Sequence, residues 1–234
     1  MNLLDFLFPP RCLSCQATGS YFCPDCQKNI IYIKRQVCPQ CGRASIQGET
    51  HPACRTHYSL DGLVKAFYYK KEIREVIKRI KFEPYVFNAI PVLTSLAMNY
   101  FEKDDGFIHF REFLKTKPKI VAVPLSRKRF RERGFNQAQL IGQELAKQWD
   151  LTLIKDLIKR IKNTKPQYSL ERKERRENIK GAFAINPAVK KNLTPSPLLL
   201  VDDIWTSGVT MREVARVLKI SGFKKIWGLV ISAR

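Results

Sequence analysis

The chain has 234 residues, with 42 lysines and arginines against 21 aspartates and glutamates, for a formal net charge of +21. That length holds one α/β domain plus a small appendage, and the charge implies a polyanionic partner: nucleic acid, a phosphorylated metabolite or an anionic membrane surface. No apolar run reaches the roughly 20 residues of a spanning helix, so no membrane span is expected.

The N-terminal residues 1–8 are apolar but include Asp5 and no basic leader, so they are not expected to be a signal peptide. Leu3, Leu4, Phe6, Leu7 and Phe8 read as a short apolar anchor ending at Pro9-Pro10. All seven cysteines lie within the first 54 residues, and six of them form three Cys-x-x-Cys pairs. Two sulfurs from one tight turn reach a single metal at that spacing, whereas disulfide frameworks seldom use it. Residues 1–58 therefore read as a zinc-binding module. Grouping in sequence order gives a first site of Cys12, Cys15, Cys23 and Cys26. The second is Cys38, Cys41, Cys54 and His57, the histidine standing for a missing eighth cysteine. An interleaved grouping, in which Cys38 and Cys41 join Cys12 and Cys15, satisfies the same spacing, and His51 competes for the fourth position of the second site. Four protein ligands leave no open coordination position, so the zinc is expected to be structural. The thiols must stay reduced to hold it, which points to the cytoplasm.

Residues 59–234 lack cysteine and alternate between strand and helix patterns, as in a parallel sheet flanked by helices. Gly62 to Tyr69 reads as a strand. Ile73, Val76, Ile77 and Ile80 then mark an amphipathic helix whose other face carries Arg74, Lys78, Arg79 and Lys81, with Pro84 breaking it. Pro91 opens a second helix. Residues 103–117, polar and mixed in charge, read as a connector in which His109 packs or faces solvent. Ile120 to Val123 is a buried strand stopped by Pro124. The segment Arg127-Lys128-Arg129-Phe130-Arg131-Glu132-Arg133 reads as a basic anion-binding loop before a helix capped by Asn136. Residues 151–162 supply another strand, and residues 171–180 are an ion-paired helix or a loop. Gly181 to Ile185 resumes a strand, and Pro187 to Pro197 is a linker.

Leu198-Leu199-Leu200-Val201 is a strand buried on both faces. It ends in Asp202 and Asp203, followed by the short loop Thr206-Ser207-Gly208-Val209-Thr210. A helix then opens, with Thr210 and Glu213 fitting a capping box. A helix N-terminus behind a loop of hydroxyls is suited to holding a phosphate. Ile226 to Ile231 is a last buried strand.

The motif at 198–210 resembles the signature with which type I phosphoribosyltransferases bind 5-phosphoribosyl 1-diphosphate (PRPP). The order of the cysteine knuckles, Arg131 to Gln137, Thr164 to Gln167, Arg176-x-Asn178, Gly181-Ala182-Phe183 and this signature resembles the ComF family of competence proteins along nearly the whole chain. The resemblance implies a type I phosphoribosyltransferase-like sheet in an α/β fold, joined to a zinc finger and acting in DNA uptake. The implied partners are internalised single-stranded DNA and a helicase-like competence protein. It further implies that Asp202 and Asp203 bind the ribose, and that Thr206, Ser207, Gly208, Val209 and Thr210 bind the 5′-phosphate. Pro124, Leu125, Ser126, Arg127 and Arg133 would lie at the diphosphate, with Mg²⁺ bridging it to the sugar. The basic excess adds candidate DNA contacts at Arg127, Lys128, Arg129, Arg131, Arg172, Lys173, Arg175 and Arg176, with Phe130, Phe135 and Tyr168 as candidate stacking rings. No residue stands out as a general base. An active transferase with an unknown small-molecule acceptor is the alternative to a DNA-handling protein, and the zinc module could instead be a protein-docking surface.

Overall fold

The computed structural model describes residues 9–82, 86–162 and 172–234, the side chains of Arg172, Lys173, Arg175 and Arg176 excepted. The apolar anchor at 3–8, the helix break at Pro84, the segment 164–167 and Tyr168 lie outside the described residues. Five strands form one parallel sheet: β1 (Gly62–Tyr68), β2 (Lys119–Ala122), β3 (Leu153–Ile154), β6 (Leu198–Trp205) and β7 (Ile226–Ala233), in the order β1-β7-β6-β2-β3. Strands β4 (Ile158–Arg160) and β5 (Phe183–Ile185) pair antiparallel in a separate ribbon.

The side-chain alternation of β6 and β7 explains why residues 198–201 and 226–231 carry no polar side chain. Leu199, Val201, Trp227, Leu229 and Ile231 enter one core, and Leu198, Leu200, Ile226 and Val230 enter the other. Full burial contributes roughly 1.5–3 kcal/mol for each large aliphatic side chain. The first core is covered by α2 (Lys71–Lys81), α3 (Ala89–Lys103), α4 (Ile108–Lys115) and α6 (Gln137–Gln148), and the second chiefly by α9 (Val209–Ile220). No helix among the described residues is long and apolar enough to cross a membrane.

Four expectations change. The connector at 103–117 holds α4, because Phe107, Phe110 and Phe113 are buried against Phe101, Trp149 and Trp227 with ring centroids 5.0–6.3 Å apart. Its charged residues concealed that aromatic stripe. The basic loop at 127–133 is a short helix, α5 (Arg127–Arg133): the Ser126 hydroxyl accepts from Arg129 N–H at 3.3 Å, and left-handed Gly134 ends it. The strand expected at 151–162 is divided between β3 and β4 by a turn with Asp156 at φ 57°. The linker at 187–197 begins with one helical turn, α8 (Pro187–Lys190). Residues 172–179 take the helical alternative, as α7 (Arg172–Ile179).

Among its described residues the N-terminal module contains one short α-helix, α1 (Pro24–Lys28), and it rests on the sheet. Cys12, Phe22, Cys23, Cys26 and Ile30 share the core of α2–α4. The module also occupies the outer edge of β1. Ile33 N–H donates to Ala66 O at 2.9 Å, and Tyr68 N–H donates to Ile31 O at 3.0 Å. The Gln36 amide pairs with both backbone groups of Lys65, and Thr50 N–H donates to Asp61 O at 2.9 Å.

Candidate metal clusters and strand-end cleft

Two clusters of ligand atoms form in the N-terminal module. Cys12, Cys15, Cys23 and Cys26 make one, with their sulfurs within 4.8 Å of each other. Tetrahedral zinc with bonds of about 2.3 Å separates sulfurs by about 3.8 Å, so this donor set fits zinc. Burial raises the Cys12 thiol's pKa, but backbone N–H groups of Cys15, Cys23 and Ser14 outweigh it and draw the value down to about 6. Burial and its neighbours push the Cys26 thiol up to about 12. Four crowded thiols do not all ionise unaided, and a dication is what would let them.

The second cluster is Cys38, Cys41, His51 and Cys54, again with ligand atoms within 4.8 Å. His51 takes the place expected for His57. Its Nδ1 lies 3.4 Å from Cys41 Sγ while its Nε2 donates to Ala44 O at 2.9 Å, an arrangement that leaves Nδ1 for metal. His57 instead packs edge-on to Tyr58 at 5.3 Å. The clusters follow sequence order, not the interleaved alternative. Metal analysis of the purified protein is expected to return two zincs per chain, still two in His57→Ala and one in His51→Ala. One zinc in the wild type would rule out the second cluster.

At the C-terminal ends of the strands lies a cleft of about 970 Å³, the edge at which open α/β sheets bind ligands. Among the described residues nine cationic side chains line it, from α2, α5, Arg160 and Arg234, against Asp202, Asp203 and Glu132. Lys81 Nζ sits 2.6 Å from Asp203 Oδ2. Asp203 N–H donates to Asp202 Oδ1 at 2.8 Å. Burial, reinforced by the Asp203 charge, pushes the Asp202 carboxyl up to about 7. An unfolded aspartate titrates near 4 (about 3.9), so the folded chain binds the extra proton between about pH 4 and 7. Stability contributed at this site therefore falls as pH rises through that window. Asp202→Asn is expected to raise the melting temperature at pH 8 and to leave it unchanged at pH 4; equal shifts at both would contradict the assignment.

The acid pair leads into the 206–210 loop. Gly208 is the N-cap of α9 and is left-handed, with φ 72°. Thr210 is the second residue of α9 and not its cap, which displaces the expected Thr210–Glu213 capping box; Glu213 Oε1 accepts from Gly181 N–H at 2.8 Å and pairs with Arg216 at 2.8 Å. The buried Ser207 hydroxyl has no hydrogen-bond partner among the described residues.

Of the residues picked from sequence, the cleft gathers Pro124, Leu125, Ser126, Lys128, Arg129, Arg131, Arg133, Asp202, Asp203, Thr206, Gly208 and Thr210. Arg127 is exposed and is not among the residues that line it. Ser207 and Val209 sit behind the wall, and Val209 belongs to the core. Phe130 is exposed, whereas Phe135 packs on Phe87 at 5.8 Å. The side chains of Arg172, Lys173, Arg175 and Arg176 lie outside the described residues. Sequence reasoning missed Tyr69, Arg74, Lys78, Lys81, Gln137, Arg160 and Arg234 as cleft residues. A signal existed for three of them, because Arg74, Lys78 and Lys81 share the polar face of α2 at helical spacing.

Residues 3–55 match the family model described as a double zinc ribbon domain. The chain is 31% identical to Competence protein F of Haemophilus influenzae, with 98% of each chain covered. It is 28% identical to DNA utilization protein YhgH of Escherichia coli K12, with 92% of each covered. Competence protein ComFC of Bacillus subtilis is 26% identical, over 86% of this chain and 78% of that protein.

Proposed function

Since the chain belongs to the competence protein F family, we propose that it serves DNA uptake, handling internalised single-stranded DNA while binding PRPP at its strand-end cleft. The organisation proposed is a zinc module at 1–58 joined to a phosphoribosyltransferase-like domain at 59–234, working in the cytoplasm with a helicase-like competence protein. The observation that carries this proposal is the juxtaposition of Asp202 and Asp203, the Gly208 loop and nine cations around one cleft. The carboxylates suit ribose hydroxyls, the N-terminus of α9 suits a phosphate, and the cations suit a diphosphate. Mg²⁺ favours oxygen ligands and retained waters. With Asp203 already accepting Lys81, the oxygens of PRPP itself are the natural ligands for the ion. Phe82 lines the cleft with the Arg133 guanidinium 5.6 Å from its ring centre, and Phe130, 50% exposed, stands among the arginines of α5; both offer stacking faces to bases.

Isothermal titration with PRPP and Mg²⁺ tests the cleft. Binding is expected in the wild type, weakened about 100-fold in Asp202→Ala/Asp203→Ala, a loss of about 2.7 kcal/mol. No heat in the wild type would end the PRPP proposal. Affinity for single-stranded DNA is expected to fall steeply with salt, because neutralised phosphates release counterions. Flat salt dependence would count against DNA handling.

A second proposal, active phosphoribosyl transfer to a small-molecule acceptor, is favoured by the titration of Asp202 at about 7. A carboxyl that exchanges its proton near neutrality has the property required of a general acid or base.

A further inference from the structure

Arg212 connects two places that the chain keeps far apart. It lies in the first turn of α9, and its guanidinium forks. Nη1 donates to Pro39 O at 2.9 Å, and Nη2 donates to Ser207 O at 2.7 Å. The same group lies 5.8 Å from the Trp205 ring centre. Pro39 stands between Cys38 and Cys41, inside the knuckle that supplies half of the second metal cluster. That knuckle is closed by Gly42 N–H donating to Cys38 O and Cys38 N–H donating to Arg43 O, each at 2.9 Å.

The Ser207 carbonyl matters because of peptide geometry. In a planar trans peptide the C=O and the following N–H point in opposite directions. Drawing Ser207 O toward Arg212 therefore turns the Gly208 N–H away from it. Gly208 lines the cleft, and its left-handed conformation allows the backbone this turn. The orientation of one anion-facing amide is thus set by a side chain whose other arm grips the metal knuckle. A planar fork suits such a bridge; a lysine supplies the charge without the fixed geometry.

We infer that Arg212 is a positioning residue that ties the 206–210 loop to the second metal cluster, so that metal on Cys38, Cys41, His51 and Cys54 and an anion on the loop strengthen each other. The metal holds Pro39 O in place, Pro39 O holds one arm of Arg212, and the other arm holds the donor geometry of the loop. Linkage makes the effect reciprocal. Only the anion half of this coupling rests on the proposed PRPP site.

The test uses the full-length, zinc-loaded chain as wild type, Arg212→Ala and Arg212→Lys, with two measurements that need no ligand. The first is the rate at which each zinc passes to a chelator. The second is amide hydrogen exchange at residues 208–210. In both variants the second cluster is expected to release zinc about tenfold faster, with the first cluster unchanged, and the loop amides to exchange about tenfold faster, the scale of ordinary site-to-site coupling. PRPP, where it binds, should slow zinc release in the wild type and not in the variants. Wild-type zinc release in both variants overturns the coupling, as does faster loop exchange without faster zinc release. Absence of PRPP heat in the wild type, with the zinc and exchange effects intact, removes the proposed ligand and supports the bridge.

Discussion

Gly208→Ala is expected to abolish measurable PRPP binding and to destabilise the chain by about 2–5 kcal/mol, the sum of two penalties. Left-handed backbone at φ 72° costs a residue with a β-carbon roughly 1–2 kcal/mol. The added carbon would also stand 2.1 Å from Trp205 Cζ2 and 2.3 Å from Cη2. A ring cannot yield as a flexible side-chain tip does, and overpacking of this kind costs roughly 1–3 kcal/mol. Either relief deforms the loop: Trp205 moves off Arg212, or the peptide at 207–208 rotates and takes its amide away from the cleft. Denaturant titration and calorimetry measure the two losses separately. Trp205→Ala in the Gly208→Ala background should recover the steric part of the stability and leave the backbone part. Normal PRPP affinity in Gly208→Ala would show that this loop does not hold the phosphate.

Stripping metal is expected to unfold more than the module that binds it. Structural zinc supplies roughly 10–16 kcal/mol of folding free energy in isolated zinc-finger peptides. In this chain Cys12, Cys23 and Cys26 are buried in the same core as Val76, Leu93 and Phe101. Cys12→Ser, at a fully buried ligand, should therefore lower the melting temperature of the whole chain by on the order of 10 °C, within one cooperative transition. Differential scanning calorimetry with and without a chelator distinguishes the outcomes. A separate low-temperature transition that leaves the main one in place would mean that the module is thermodynamically independent of the sheet.

The legible parts of the sequence were those whose determinants are local. The run from Leu198 to Met211 carries strand, acids, loop and helix in the expected order, although β6 continues through Asp202 and Asp203 to Trp205 and α9 already begins at Val209. The knuckles were legible for the same reason. His51 was displaced by His57 in the sequence reading because Cys54 and His57 share a knuckle-like spacing. The actual choice is made by bridges at Val37–Ala44 and Glu49–Gly62, pairings that no spacing rule encodes. Helix α4 was obscured by charges around three buried phenylalanines. Arg160 had no local signal, since it comes from the small antiparallel ribbon and reaches the cleft only through the chain's return past β3. Arg212 looked like any polar position on an amphipathic helix, and its importance depends on which carbonyls the fold presents to it.

The outer border of β1 carries one more consequence. β3, at the opposite border of the sheet, is two residues long and offers little template for another chain. β1 is seven residues long, and its free hydrogen-bonding groups are taken up by residues 31–36 of the N-terminal module. An uncovered strand of that length invites intermolecular pairing. Metal starvation should therefore convert the chain into a self-associating species, seen as growing particles in light scattering, and the zinc supply during synthesis should set how much monomer survives.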